Sequence, residues 1–271
     1  MTRLIARVLA TLLVSGFVTI QATPPDVVVA KLHVIAIVPI EAPPLLVHPQ
    51  DDADRAALTA AGLSVPDHTG GASVFLPFTP NPAVNAASAI IGLLSLVGSS
   101  APGKGDVLTL TKEQPAAWMP TRQLAQRAAE LLTATGRHET FVVDGYARLP
   151  IVDRSVNNLL ENWYAPVRQW YKSDVSMVDY GDQPALGDAV LEVGVSNFEY
   201  ASQRFLMQVM VKLVDPGSRK VILRAREFSY PKGQSLAAML QNQGEPLREL
   251  SARTLETLIS KCLQDMALVP H

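Results

Sequence analysis

The hydrophobic pattern changes period several times along the chain, and each change marks an element. Lys31–Ile40 is almost continuously apolar, interrupted by His33 and closed by Pro39, as in a strand buried on both faces. From Thr121 to Thr135, Leu124, Ala128, Leu131 and Leu132 recur at helical spacing. Thr121 is the expected N-cap after Pro120, and Gly136 is the expected stop. Phe141–Val143 predicts a short strand ended by Asp144-Gly145. A second helix carries the stripe Val156, Leu159, Leu160, Trp163, Val167, Trp170 and Tyr171. Asp153 is its expected cap, and Pro166 should kink or divide it.

Three alternating segments follow. Ala189, Leu191, Val193 and Val195 share one face, against Glu192, Gly194 and Ser196 on the other. Phe205, Met207, Val209, Val211 and Leu213 alternate with Arg204, Gln208 and Lys212. Val221, Leu223 and Ala225 alternate with Lys220, Arg224 and Arg226. Such alternation predicts one packed face and one wetter face. Glu199–Gln203 is the expected first turn, and Asp215-Pro216-Gly217-Ser218 is a strong second one. A last helix from about Pro246 carries Leu247, Leu250, Leu255, Leu258, Ile259, Leu263 and Met266 on one stripe. This order predicts an α/β (α+β) fold with a single mixed sheet. Parallel strands come first, and a C-terminal antiparallel meander closes it. About three main helices flank it, with helices on one face or both, and a long apolar insertion (about 41–119) follows the first strand.

Charge sharpens this picture. Only 18% of residues are charged, against about 25% in ordinary domains, and the deficit is local: Val8–Pro25 and Thr69–Gly103 contain no Asp, Glu, Lys or Arg. The first gap, preceded by Arg3 and Arg7 and ending near Ala22, reads as an export signal over 1–22, leaving a single domain over 23–271. Cleavage would give a periplasmic protein; retention would tether the chain to the inner membrane. The apolar run is short for a full span. The second gap opens with a proline-broken run and continues with small and aliphatic residues. One reading is a buried helix or packed insertion. The other is a surface meeting a membrane or a partner through 74–98, with Phe75, Phe78, Ile90, Ile91, Leu93, Leu94, Leu96 and Val97 as contacts. On the second helix, Tyr164 and Tyr171 lie about 100° from the Trp163/Trp170 line and are candidates for a partner surface, with core packing as the alternative.

Sequence motifs offer no recognisable chemistry. Net charge is −2, which argues against a nucleic-acid partner. Gly98–Gly105 nearly spells a phosphate-binding loop, but Gly105 stands where the Mg²⁺-binding hydroxyl is needed. Cys262, the sole cysteine, falls on the last helix's apolar stripe and is expected to be an inert buried thiol. The histidines His33, His48, His68, His138 and His271 show no metal-ligand spacing. Asp51, Asp52 and Asp54 suit a solvated loop or a helix start better than a Ca²⁺ site. No cofactor, metal or catalytic residue is therefore expected.

Four segments resemble fold markers of a known group. His33–Leu45 (HVIAIVPIEAPPL) is similar to a first strand of the "IAVLPF" type. Leu131–Arg137 is similar to a helix end leading into a short strand. Leu186–Val193 (LGDAVLEV) and Leu213–Val221 (LVDPGSRKV) are similar to a strand and a hairpin of the same group. In this order they resemble exported envelope proteins related to the TolB N-terminal domain, CsgG and the LpoB-type synthase activators. The resemblance spans about Leu32–Pro39 and Leu124–Met266; no lipobox cysteine is present. It implies a non-catalytic assembly or interaction module of the Gram-negative envelope, a subunit or accessory of a transport, secretion or biogenesis complex. Its partners would be envelope proteins, with homo-oligomerisation as one form. The alternative from another class is a periplasmic hydrolase whose site forms only on folding.

Overall fold

The computed structural model describes residues 28–43, 45–61, 74–76, 110–111, 119–151, 159–180 and 186–271. Residues 1–22, read above as an export signal, most of the charge-free segment, the phosphate-loop-like Gly98–Gly105, the expected cap Asp153 and His68 lie outside these residues.

The sheet is built around one long strand, β7 (Ala189–Ala201). Along one edge it pairs antiparallel with β8 (Arg204–Val214), which pairs antiparallel with β9 (Val221–Ser229). Its other edge is shared. The first half takes β1 (Val34–Pro39) in parallel, and the second half takes β2 (Leu45–His48), also in parallel. Beyond β1 lies β5 (Glu139–Val142), parallel; beyond β2 lies β3 (Val74–Leu76), antiparallel. The result is the expected mixed sheet, with a parallel part and a closing meander. A separate two-stranded ladder joins β4 (Leu110–Thr111) to β6 (Tyr146–Ala147).

The described helices are α1 (Asp52–Ala60), α2 (Pro120–Ala134), α3 (Leu159–Lys172), α4 (Leu236–Met239) and α5 (Gln241–Asp265). On one face of the sheet, Leu124, Ala128 and Leu132 of α2 and Leu255, Leu258, Ile259 and Leu263 of α5 bury Ile35, Ile37, Leu191, Val193, Val209 and Val211. On the other face, Trp163, Val167 and Trp170 of α3 bury Ala36, Val38, Val190, Met210 and Val214. Helices therefore cover both faces.

Local chemistry explains several boundaries. Asp51 caps α1, its Oδ1 accepting the Asp54 N–H at 2.8 Å, so the acidic cluster is a helix start. Residues 45–48, within the expected insertion, form a strand on the edge of β7, with Leu45, Leu46 and Val47 buried. Thr121 does not cap α2. Met119 holds the cap position and Pro120 the first turn, because proline's fixed φ and missing N–H suit that site; Thr121 Oγ1 is buried without a hydrogen-bond partner. Pro166 does not divide α3, which runs on through it. The turn between β7 and β8 is tighter than expected. Glu199–Ala201 stay in the strand, and only Ser202 and Gln203, both at positive φ, make the turn. Helix α5 begins at Gln241, yet Asn242 and Gly244 have φ of 50° and 79°, so its regular turns set in near Pro246.

Gly187 and Asp188 fix the start of β7. Gly187 has φ of 76°, and a Cβ there would meet the Val34 carbonyl oxygen at 2.7 Å. The Asp188 carboxylate accepts the N–H groups of His33 and Val34 at 2.7 and 3.0 Å, which stitches β7 to β1.

Candidate functional site: the outer face of the meander

The face of β7, β8 and β9 that carries the polar positions is the one on which α3 sits. Register places Glu192, Lys212 and Arg224 in one row across the strands, and Gly194, Met210 and Arg226 in the next. Gln208 and Phe228 form a further row. The first two rows differ sharply in exposure from β7 to β9. Alternation alone predicts a wet face here; α3 instead buries its β7 end.

Under α3 lies a closed polar cluster. Glu192 and Lys212 are completely buried, 3.2 Å apart. Trp170 Nε1 donates to Glu192 at 2.6 Å and Tyr180 Oη at 2.7 Å; the Ser176 hydroxyl donates to the same carboxylate. Lys212 Nζ donates to the Trp170 carbonyl at 2.9 Å and stands 5.3 Å from the centre of its ring. Burial pushes the Tyr180 hydroxyl well above its ordinary pKa, reinforced by the Glu192 charge. Burial also pulls the Lys212 ammonium down, with Glu192 opposing it. Every strong donor here is matched, so the cluster fixes α3 and the 174–180 segment onto the sheet. Gly194 makes room for this: a Cβ would come within 2.6 Å of the Trp170 ring.

The two tyrosines suggested as partner contacts sit about two turns apart on α3, Tyr164 near its middle and Tyr171 at its C-terminal end. Tyr164 donates its hydroxyl to Glu199 on β7, whose carboxylate also lies 3.7 Å from His48 Nε2 on β2. Bonding to His48, and then to Tyr164, holds the Glu199 carboxyl below its ordinary pKa against the effect of burial. Burial, then Glu199, raises that of Tyr164. Tyr171 faces the meander instead, with the Arg224 guanidinium 5.8 Å from its ring centre. Arg224 also pairs with Asp174 at 2.5 Å. The structure does not bring the two tyrosines together. Of the apolar contacts suggested in the insertion, Phe75 lies in β3 opposite Leu46. Phe78, Ile90, Ile91, Leu93, Leu94, Leu96 and Val97 lie outside the described residues.

Beyond the shelter of α3 the same face opens. Phe228 is 68% exposed and Tyr230 45%. Arg204 lies over the Tyr230 ring at 5.2 Å from its centre. Among the described residues, β9 pairs only with β8, so its outer edge is open beyond Val221. The sequence held a signal for this strip: Phe228 shares the parity of the polar residues Arg224 and Arg226, where a wetter face was expected.

Chemistry elsewhere is sparse. His138 Nδ1 donates to the Leu32 carbonyl at 2.9 Å, since a carbonyl can only accept. Cys262 is fully buried, and burial pushes its thiol up to about 12. Among the described residues no group of three or more His, Cys, Asp or Glu could hold a metal ion. No described helix is long and apolar enough to cross a membrane.

No family model matches the chain, and no curated protein does. Solved structures do. The PelC dodecamer from Paraburkholderia phytofirmans is 16% identical with a TM-score of 0.28, over 61% of this chain and 91% of that one. Protein XCC0632 from Xanthomonas campestris is 12% identical with a TM-score of 0.31, over 87% and 88%. Lipoprotein GNA1162 from Neisseria meningitidis is 12% identical with a TM-score of 0.26, over 82% and 94%.

Proposed function

We propose that the chain is a non-catalytic, exported module of the Gram-negative envelope, a subunit or accessory of a transport, secretion or biogenesis complex. It works by docking to protein partners. The single observation that carries this reading is the pairing of Phe228 and Tyr230, both solvent-facing, with an edge strand that lacks a second strand neighbour among the described residues. Natural sheets usually protect such an edge, and exposed aromatic rings beside one suit an interface better than a solvated surface. The export-type N-terminus and the resemblance to TolB-N, CsgG and LpoB-type proteins support the same reading. The charge-free segment Thr69–Gly103 is a second contact in this proposal, toward the membrane or neighbouring subunits.

The test is fractionation and detergent-free sizing of the full chain expressed in a Gram-negative host, beside Phe228→Ser/Tyr230→Ser. Recovery of wild type in a large envelope complex, and of the double variant as a folded species released from it, is the expected result. A wild-type chain that behaves as a free monomer in every fraction overturns the proposal.

A further inference from the structure

Resting on that reading, we propose that the open edge of β9 receives an extended acidic segment of a partner protein as an added strand. The chain itself shows that this edge accepts backbone pairing. Val175 bridges antiparallel to Lys220, the Ser176 N–H donates to the Arg219 carbonyl at 2.6 Å, and the Val221 N–H donates to the Asp174 carbonyl at 2.9 Å. That pairing stops at Val221, where the chain turns back into α3, and Leu223–Ser229 continue with no second strand beside them among the described residues, while α5 packs against the strand and brings the Cys262 thiol to the Glu227 backbone.

Charge selects the occupant. Arg224 is already engaged by Asp174 and by the carbonyls of Lys172 and Ser173. Arg226 and Lys232 have no carboxylate partner among the described residues, and Arg204 is held only over the Tyr230 ring, on a chain whose net charge is −2. A strand laid beside β9 would place its alternate side chains next to Arg226 and Phe228 on this face. Carboxylates opposite the arginine and an apolar or aromatic residue opposite the phenylalanine are the favourable pairs. A second copy meeting edge to edge would bring the arginines of one β9 against those of the other, which is unfavourable. The chain's own segment Thr69–Gly103 contains no carboxylate. An anionic lipid surface would answer the charge but not the backbone groups of the edge.

The probe is a soluble decapeptide alternating Glu with Val or Phe, measured against the full chain by titration calorimetry. Three controls accompany it: a Lys-for-Glu counterpart, a version N-methylated at alternate residues, and vesicles of zwitterionic lipid with or without anionic lipid. Expected is binding of the acidic peptide, with loss of about tenfold or more in Arg226→Glu and in Phe228→Ser, and with loss on N-methylation. Equal binding of the Lys peptide or of the N-methylated peptide overturns the proposal. So does binding to anionic vesicles that depends on Arg226 while the peptide does not bind. The outcomes separate from those of the broader reading. If Phe228→Ser/Tyr230→Ser releases the chain from its envelope complex but no acidic peptide binds, the strand proposal alone falls.

Discussion

The Glu192 carboxylate and the Lys212 ammonium face each other at 3.2 Å from adjacent strands, both sealed from solvent by α3. Their energetics are asymmetric. Taking both ions out of water is expensive, and the pair survives because Trp170, Ser176, Tyr180 and the Trp170 carbonyl satisfy the remaining valences. Removing one partner strands the other. Lys212→Met should lower stability by about 3–5 kcal/mol. Glu192→Gln/Lys212→Met removes both charges; the amide oxygen can still accept the indole N–H while the amide nitrogen donates to the hydroxyl oxygens, which turn to accept, so it should recover most of that loss. Urea denaturation of the three proteins checks this; a double variant no more stable than Lys212→Met would show that charge is not what matters at this site.

A neighbouring relationship concerns volume. Gly194 lies under the Trp170 ring with no room for a methyl group. Gly194→Ala should therefore overpack the α3 interface and destabilise by about 1–3 kcal/mol. Adding Trp170→Leu should return part of the loss, because the smaller side chain vacates the contested space. Thermal unfolding of the single and double variants measures the coupling, and strict additivity would contradict the contact.

Acid sensitivity follows from two carboxylates held by N–H donors. The His33 N–H, then that of Val34, keeps Asp188 below its ordinary pKa; the Ser218 N–H, then its hydroxyl, does the same for Asp215. In each case the folded value lies below the unfolded one. The contribution to stability is therefore complete above the ordinary carboxylate pKa of about 3.9 and disappears as pH falls through that value toward the folded pKa. Asp188→Asn should flatten the acid limb of the stability profile and leave its slope between pH 6 and 8 unchanged. Stability profiles of wild type and variant decide the matter: an unaltered acid limb would show that Asp188 does not carry the linkage.

Particular residues show what the sequence alone reveals. The stripe Leu255, Leu258, Ile259, Leu263 is long and regular, and it packs as its period predicts. The meander is legible for the same reason, since the Asp215–Ser218 turn separates two runs of clean alternation. Leu45–His48 is not legible as a strand: four residues between Pro43-Pro44 and Pro49 are too few to display a period, and only pairing with β7 defines them. Alternation also misjudges Glu192 and Lys212. It records which face they share, whereas their burial depends on where α3 lands, more than 20 residues away in sequence from Glu192 at Trp170. Phe228 is half legible: it shares the parity of Arg224 and Arg226 on the wetter face, but the extent of its exposure and that of Tyr230 comes from the edge position of β9, a property of sheet order.

Cys262 gives a probe of the opposite face. It sits within the layer formed by α2, α5 and the inner sheet, among Leu258, Ile259 and Leu263. Burial raises its thiol to about 12, so the reactive thiolate is scarce at neutral pH and the sulfur is inaccessible as well. Alkylation by iodoacetamide at pH 8 should therefore be negligible in the native protein and should rise with urea along the same transition as the loss of helical circular dichroism. Because the thiol lies beneath α5 rather than α3, Lys212→Met should speed labelling only through global unfolding, in proportion to its change in stability. Rapid labelling of the native wild type, with circular dichroism unchanged, would mean that α5 lifts from the sheet independently of the rest of the fold.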